Sequence, residues 1–198
     1  MNCVPKSISP CIETLLCHEG MVLNTAWHQA RFDKTRRELY GDTSVLPLGA
    51  QLHLPTTGTH RVRITYTHHI LKSEVFPCVP RLFETFSVVE ADIDYGYKYA
   101  NREALNALIP KGVDDVIFTC KKELQDTTIA NIALLIEGQW FTPHKPLLEG
   151  TTRARLLASG MLKTAILTTQ SLQKAQKFAI MNALLGFHIL KNPCFKGM

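Results

Sequence analysis

The stretch Asp94-Tyr95-Gly96-Tyr97-Lys98-Tyr99-Ala100-Asn101-Arg102 sets one lysine between an aromatic, glycine-containing approach and an amphipathic segment. Further along come Asp126-Thr127-Thr128-Ile129-Ala130-Asn131 and then Leu148-Glu149-Gly150-Thr151-Thr152-Arg153. In order, these segments offer an amine, a carboxylate and a hydroxyl-rich turn at a helix start. Partial desolvation favours the neutral form of a lysine amine, the form that attacks carbonyls. A buried carboxylate can keep a heterocyclic ring nitrogen protonated. A glycine followed by N–H groups and hydroxyls at a helix N-terminus can bind a phosphate.

Taken singly, each feature has an ordinary reading. Lys98 alone reads as a lysine snorkelling from a strand end, its stem on Tyr97 or Tyr99. Asp126 alone reads as a turn or cap aspartate before a strand, and Gly150 to Arg153 as a capped helix. Their order and spacing reverses that balance, because together they are the parts required to hold pyridoxal 5'-phosphate. Arg31, on an early helix face with His28, adds a full positive charge for the same phosphate or is a surface arginine.

The rest of the composition narrows the alternatives. A chain of 198 residues with 45% hydrophobic and 20% charged content is an ordinary globule with a real core. Its formal charge of +5 suits small anionic ligands. Basic residues are scattered, and the densest cluster, Lys34, Arg36 and Arg37, is too short for a nucleic-acid-binding arm. The six cysteines, at 3, 11, 17, 78, 120 and 194, form no C-x-x-C pair and suit neither a metal cassette nor a disulfide framework. With no signal peptide evident and no apolar run long enough to span a bilayer, a cytoplasmic location with reduced thiols and no membrane partner is expected.

Along the chain, Ile12 to Cys17 reads as a strand, His18-Glu19-Gly20 as a turn, and Met21 to Leu23 as its return. A helix is predicted from Thr25, as N-cap, to Tyr40, with His28, Phe32, Thr35 and Leu39 on one face and Gly41 as its stop. Residues 42 to 60 read as loop and Arg61 to Thr67 as a half-buried strand. After the breaks at Pro77 and Pro80, Phe83 to Val89 reads as another strand. A domain boundary is placed near Asp92, giving a small N-terminal domain over 1–91 and a C-terminal cofactor domain over 92–198. Beyond it, Ala100, Ala104 and Leu108 form a helical stripe, Val116 to Thr119 a short strand, and Ile132–Ile136 with Gln139–Thr142 a hairpin. Gly150 to Thr152 opens an amphipathic helix, Ser171 caps a short one, and Phe178 to Leu185 is a last apolar segment. The mixture indicates a mixed α+β (α/β) fold of two lobes with a cleft between them.

These segments resemble the fold-type IV pyridoxal-phosphate enzymes, which include aminodeoxychorismate lyase and the branched-chain and D-amino-acid aminotransferases. Cys11-Ile12-Glu13-Thr14 is similar to the family's "FET" strand, and His28-Gln29-Ala30-Arg31-Phe32 to its "H-x-x-R-L" helix. Lys98 falls at the Schiff-base lysine, and Asn101-Arg102 matches the residues that follow it in the lyases. Leu148-x-Gly150-Thr151-Thr152-Arg153 resembles the "L-x-G-I-T-R" phosphate turn. Ile180-Met181-Asn182-Ala183-Leu184-Leu185 is similar to the lyases' "N-A/S-L-M" segment, where aminotransferases more often have "G-T". The resemblance implies Lys98 as the catalytic amine, with Arg31, Arg102, Asp126, Thr151, Thr152 and Asn182 around the cofactor. It also implies a homodimer and a small amino substrate carrying carboxylates. The expected activity is that of 4-amino-4-deoxychorismate lyase, releasing pyruvate and 4-aminobenzoate, with a class IV aminotransferase as the alternative.

Two departures motivate a third reading, a non-catalytic anion-binding or interaction module. Relatives carry glutamate where Asp126 stands, in "E-x-x-x-x-N", and Glu123 could replace it only if the loop were rebuilt. The chain is also short for the family, particularly before the "FET" strand and between Arg31 and Lys98.

Overall fold

The computed structural model describes residues 9–49, 52–79, 81 and 83–197, so Cys3 and Pro80 lie outside the described residues. The fold is mixed α/β, with two sheets and few helices. It divides into two compact units, Met1–Val79 with Tyr97–Asn101, and Pro80–Gly96 with Arg102–Met198. The sequence-based division at 91/92 therefore falls inside a segment of the second unit, and a five-residue segment around Lys98 returns to the first.

In the first unit, β1 (Cys11–His18) alternates its side chains, so that Cys11, Glu13, Leu15 and Cys17 share one face. It turns back through Glu19 and Gly20, both at positive φ, into β2 (Met21–Val22). Helix α1 (Thr25–Tyr40) follows, and then β3 (Thr59–Tyr66) and β4 (Ile70–Pro77) complete an antiparallel sheet of order β2-β1-β3-β4. Phe32 and Tyr40 of α1 pack onto Leu15, Val62, Ile64 and Tyr66 to form this unit's core. The N-cap of α1 is Asn24, in the left-handed region, rather than Thr25, whose hydroxyl donates to the Val22 carbonyl. Gly41, with φ 70°, ends the helix as expected.

The segment Tyr97–Asn101 runs alongside the start of β1. The Ile12 N–H donates to the Lys98 carbonyl at 2.8 Å, the Ala100 N–H donates to the Pro10 carbonyl, and Tyr99 bridges to Cys11. These bonds hold residues 97–101 against β1 outside any helix, where a helical stripe was predicted to begin at Ala100. Helix is confined to a single turn, α2 (Glu103–Asn106).

The second unit is built on a nine-stranded sheet. Its members are β5 (Thr85–Glu90), β6 (Asp115–Cys120), β7 (Glu123–Thr127), β8 (Asn131–Ile136), β9 (Gln139–Pro143), β10 (Leu162–Ala165), β11 (Lys177–Asn182), β12 (Gly186–Leu190) and β13 (Cys194–Lys196). The main path runs β10-β9-β8-β7-β6-β5-β13, and β11 pairs with both β8 and β12. The predicted hairpin at Glu137-Gly138 is present as the β8–β9 turn. Helix α3 (Thr151–Ala158) and α4 (Thr169–Lys174) lie in the connections. The cap of α4 is Thr168; Ser171 is its partner in a capping box. Phe86, Ile117, Leu124, Ile132, Leu134, Phe178 and Ile180 fill the core. Among the described residues, no helix is long and apolar enough to cross a membrane.

Candidate active site

The carboxylate of Asp126 is placed by an irregularity in the sheet. Between paired positions, Ile117 to Thr119 on β6 matches Leu124 to Thr127 on β7, so β7 carries one extra residue. Such a bulge bends a strand and re-aims a side chain. Asp126 pairs directly with Asn131 at the start of β8, and the Asn131 amide donates to Asp126 Oδ1 at 2.8 Å. The Leu148 N–H donates to Asp126 Oδ2 at 2.8 Å, while the same Asn131 amide nitrogen also donates to the Leu148 carbonyl. One amide thus joins the carboxylate to the segment that leads into α3.

That junction demands glycine at 150. A Cβ there would lie 1.9 Å from Asn131 Oδ1. Gly150 is the N-cap of α3, with no side-chain cap and no acidic residue in the first turn. The first helical bond runs from the Ala154 N–H to the Gly150 carbonyl. The N–H groups of Thr151, Thr152 and Arg153 therefore precede the ladder, at the positive end of the helix dipole. Thr151 and Thr152 are buried, and so is Arg153, which donates to the Thr142 hydroxyl and the Pro143 carbonyl. Arg153 ties the helix start to β9.

Burial pushes the Asp126 carboxyl up to about 7, outweighing the Asn131 and Leu148 hydrogen bonds and the Arg153 charge, which all act downward. The folded chain then holds a proton that the unfolded chain releases near the ordinary aspartate value of about 4. Its contribution to stability is present below that value and is lost as pH rises through about 7. Over the whole window it amounts to roughly 4 kcal/mol. Denaturant unfolding of cofactor-free protein from pH 4 to 8 should show this as a stability difference between wild type and Asp126→Asn that changes across the window. Parallel profiles for the two proteins would refute it.

Two other predicted site residues converge on the turn between Asp126 and Asn131. Arg102 donates to the Thr128 carbonyl, and the Asn182 amide donates to the Ile129 carbonyl at 3.3 Å. Asn182 Oδ1 also accepts from Leu184 and Leu185 N–H. Asp115, which the sequence reading passed over, accepts from the Thr128 N–H through Oδ1. Glu123 sits at the other end of β7, next to Leu124 on the far side of the bulge, where it pairs with Cys120 and bridges to Thr168.

In the first unit, Lys98 is half-buried and its carbonyl is bonded to Ile12 of β1. Arg31 is bonded to the next residue of that strand. Its Nε donates to Glu13 Oε1 at 2.8 Å and a terminal nitrogen donates to Oε2 at 2.6 Å. His28 Nδ1 lies 2.7 Å from the same Oε2. Burial alone would raise the Glu13 carboxyl, but the Arg31 charge and the hydrogen bonds from His28 and Arg31 bring it to about 2. Glu13 was missed as a site residue, although a glutamate among Cys11, Leu15 and Cys17 on an apolar strand face was a readable signal.

The Amino-transferase class IV family model matches residues 95–191, which contain the lysine, the carboxylate and the helix start. A Haemophilus somnus crystal structure, provisionally named a 4-amino-4-deoxychorismate lyase, is 30% identical with a TM-score of 0.80. It aligns with 90% of this chain and 97% of its own. The chain belongs to the class IV aminotransferase family. An uncharacterized Haemophilus influenzae protein is 29% identical over 185 residues, which are 89% of this chain and 98% of that one. The short length is thus shared with these two relatives. A Mycobacterium tuberculosis protein described as a hypothetical aminotransferase, in its PLP-bound form, has a TM-score of 0.77 at 15% identity over 96% of this chain and 82% of its own, which shows a shared fold.

The residues present fit the cofactor of this class IV aminotransferase-family fold. Asp126 is a buried acceptor whose charge is opposed by desolvation, so a cationic N–H donor would satisfy it. The uncapped start of α3 is suited to a phosphate.

Proposed function

We propose that this chain is a pyridoxal-phosphate-dependent lyase acting on a dicarboxylate amino substrate in the manner of 4-amino-4-deoxychorismate lyase, releasing pyruvate and 4-aminobenzoate. The observation that carries the reading is the cluster in which Asn131 joins a buried carboxylate, Asp126, to the uncapped helix start at Gly150. The lyase assignment is supported by the Haemophilus somnus relative and by Asn182-Ala183-Leu184 near the C-terminus.

When bound, the cofactor supplies an electrophilic aldehyde and an electron-withdrawing ring. Lys98 is assigned as the amine that holds the aldehyde. Lys98 Nζ would also serve as base for the substrate's α-proton and as acid toward the departing enolpyruvyl group. Asp126 keeps the ring nitrogen protonated. The N–H and hydroxyl groups of Thr151 and Thr152 would hold the phosphate, a role that the family resemblance also gives to Arg31. Arg102, Asp115 and Asn182 act through the backbone of residues 128 and 129, which carries Asp126 and Asn131.

The family's own description favours a second reading, an aminotransferase, in which Lys98 moves a proton between two carbons and drives no elimination. The two separate in one assay. Purified protein with added cofactor should release pyruvate from 4-amino-4-deoxychorismate without any keto-acid acceptor. Strict dependence on an acceptor would replace the lyase reading. A protein that stays colourless with added cofactor would replace both with the non-catalytic module.

A further inference from the structure

Glu13 is fully buried, on the face of β1 that it shares with the core residues Cys11, Leu15 and Cys17. An aliphatic side chain would fill this position without the desolvation that a carboxylate suffers. The carboxylate instead accepts side-on from Arg31, through Nε on one oxygen and a terminal nitrogen on the other, and it also meets His28 Nδ1. His28 and Arg31 are three residues apart on α1, which puts them on one helix face opposite β1. A two-point bond to a planar guanidinium fixes the plane and direction of the group, which a single bond or a bare charge does not. Arg31 is 13% exposed, so this fixed group reaches the edge of the core while its anchor stays inside.

We propose that Glu13 is a positioning residue which, braced by His28, aims the Arg31 guanidinium at the cofactor phosphate. Without that bond Arg31 keeps its charge but gains rotamer freedom, and phosphate affinity falls while affinity for the rest of the cofactor is retained. The proposal rests on the assignment of Arg31 to the phosphate given above.

The test compares pyridoxal phosphate with pyridoxal, which has the same aldehyde and ring but no phosphate, in absorbance titrations of cofactor-free protein. Wild type is expected to prefer the phosphorylated compound strongly. Glu13→Gln should lose tenfold or more in pyridoxal phosphate affinity and stay within about twofold for pyridoxal. Arg31→Ala should show the same pattern, and the double variant should lose no more than Arg31→Ala alone, since both act through one group. A general structural role would weaken both ligands together. If wild type binds neither compound, the cofactor reading itself fails. If it discriminates and Glu13→Gln keeps that discrimination, only the positioning role is overturned. Should Glu13→Gln not fold, nitrogen NMR of wild type decides. Resolved, slowly rotating Arg31 guanidinium signals that shift with pyridoxal phosphate but not with pyridoxal support the role, and averaged, freely rotating signals overturn it.

Discussion

Lys98→Ala should fold like wild type and lose all covalent capture of the cofactor. The bond that places this residue runs from the Ile12 N–H to the Lys98 carbonyl, and alanine retains it. The stability change is therefore expected to stay within about 1 kcal/mol, as for substitutions outside the core. Loss of the side-chain amine removes both the covalent attachment and the proton-transfer group, so turnover should fall by at least about a thousandfold. Borohydride treatment of wild type with pyridoxal phosphate, followed by peptide mapping, should put the label on Lys98 and leave the variant unlabelled. Label on another lysine would defeat the assignment, and collapse of the Lys98→Ala fold would mark the residue as structural.

Gly150→Ala should be the most damaging single methyl group in the second unit. The new carbon would sit 1.9 Å from Asn131 Oδ1. Asn131 is buried and cannot swing aside, because its amide nitrogen is committed to both Asp126 and the Leu148 carbonyl. Either the backbone of the α3 start moves or those bonds break. Overpacking costs about 1–3 kcal/mol, and leaving the buried carboxylate and amide unsatisfied costs about 1–3 more. The expected loss is about 3–5 kcal/mol, a fall in melting temperature of roughly 10 °C for a chain of this size. Adding Gly150→Ala to Asn131→Ala should cost far less, because the obstructing oxygen is gone. An additive double variant would show that the clash is not the cause.

Much of the frame was legible where the sequence itself carries the pattern. Alternation in Arg61 to Thr67, the face of α1 with Gly41 behind it, and Glu137-Gly138 between two apolar runs each report local physics. The elements that escaped are those fixed by pairing. The β6–β7 turn is made by Lys121 and Lys122, both at positive φ, where a hairpin signal would be asparagine and glycine. Strand β4, Ile-Leu-Lys-Ser-Glu-Val-Phe-Pro, has no clean alternation because it is a sheet edge with no fully buried position. The stripe at Ala100, Ala104 and Leu108 was sound helical periodicity, overridden by the bonds that hold residues 97–101 against β1. For the candidate site, the residue types proposed as amine, carboxylate and helix start could be picked out by their order and spacing. The bulge that presents Asp126 could not, since a strand's extra residue is visible only against its partner. Nor could the positions of Arg102 and Asn182 be read, whose amide and guanidinium groups reach carbonyls far away in sequence.

Consecutive residues of β1 carry the anchors of two charged groups, the Ile12 N–H for Lys98 and the Glu13 carboxylate for Arg31. Side chains alternate along a strand, so deletion or duplication of a single codon within Cys11–Glu13 would rotate the carboxylate out of the core and displace the lysine's anchor in the same event. Length variation in this protein should consequently accumulate at hairpin tips such as Glu137-Gly138 and be absent from the first three positions of β1. A library of single-residue insertions, screened for retained cofactor colour, would map that intolerance directly.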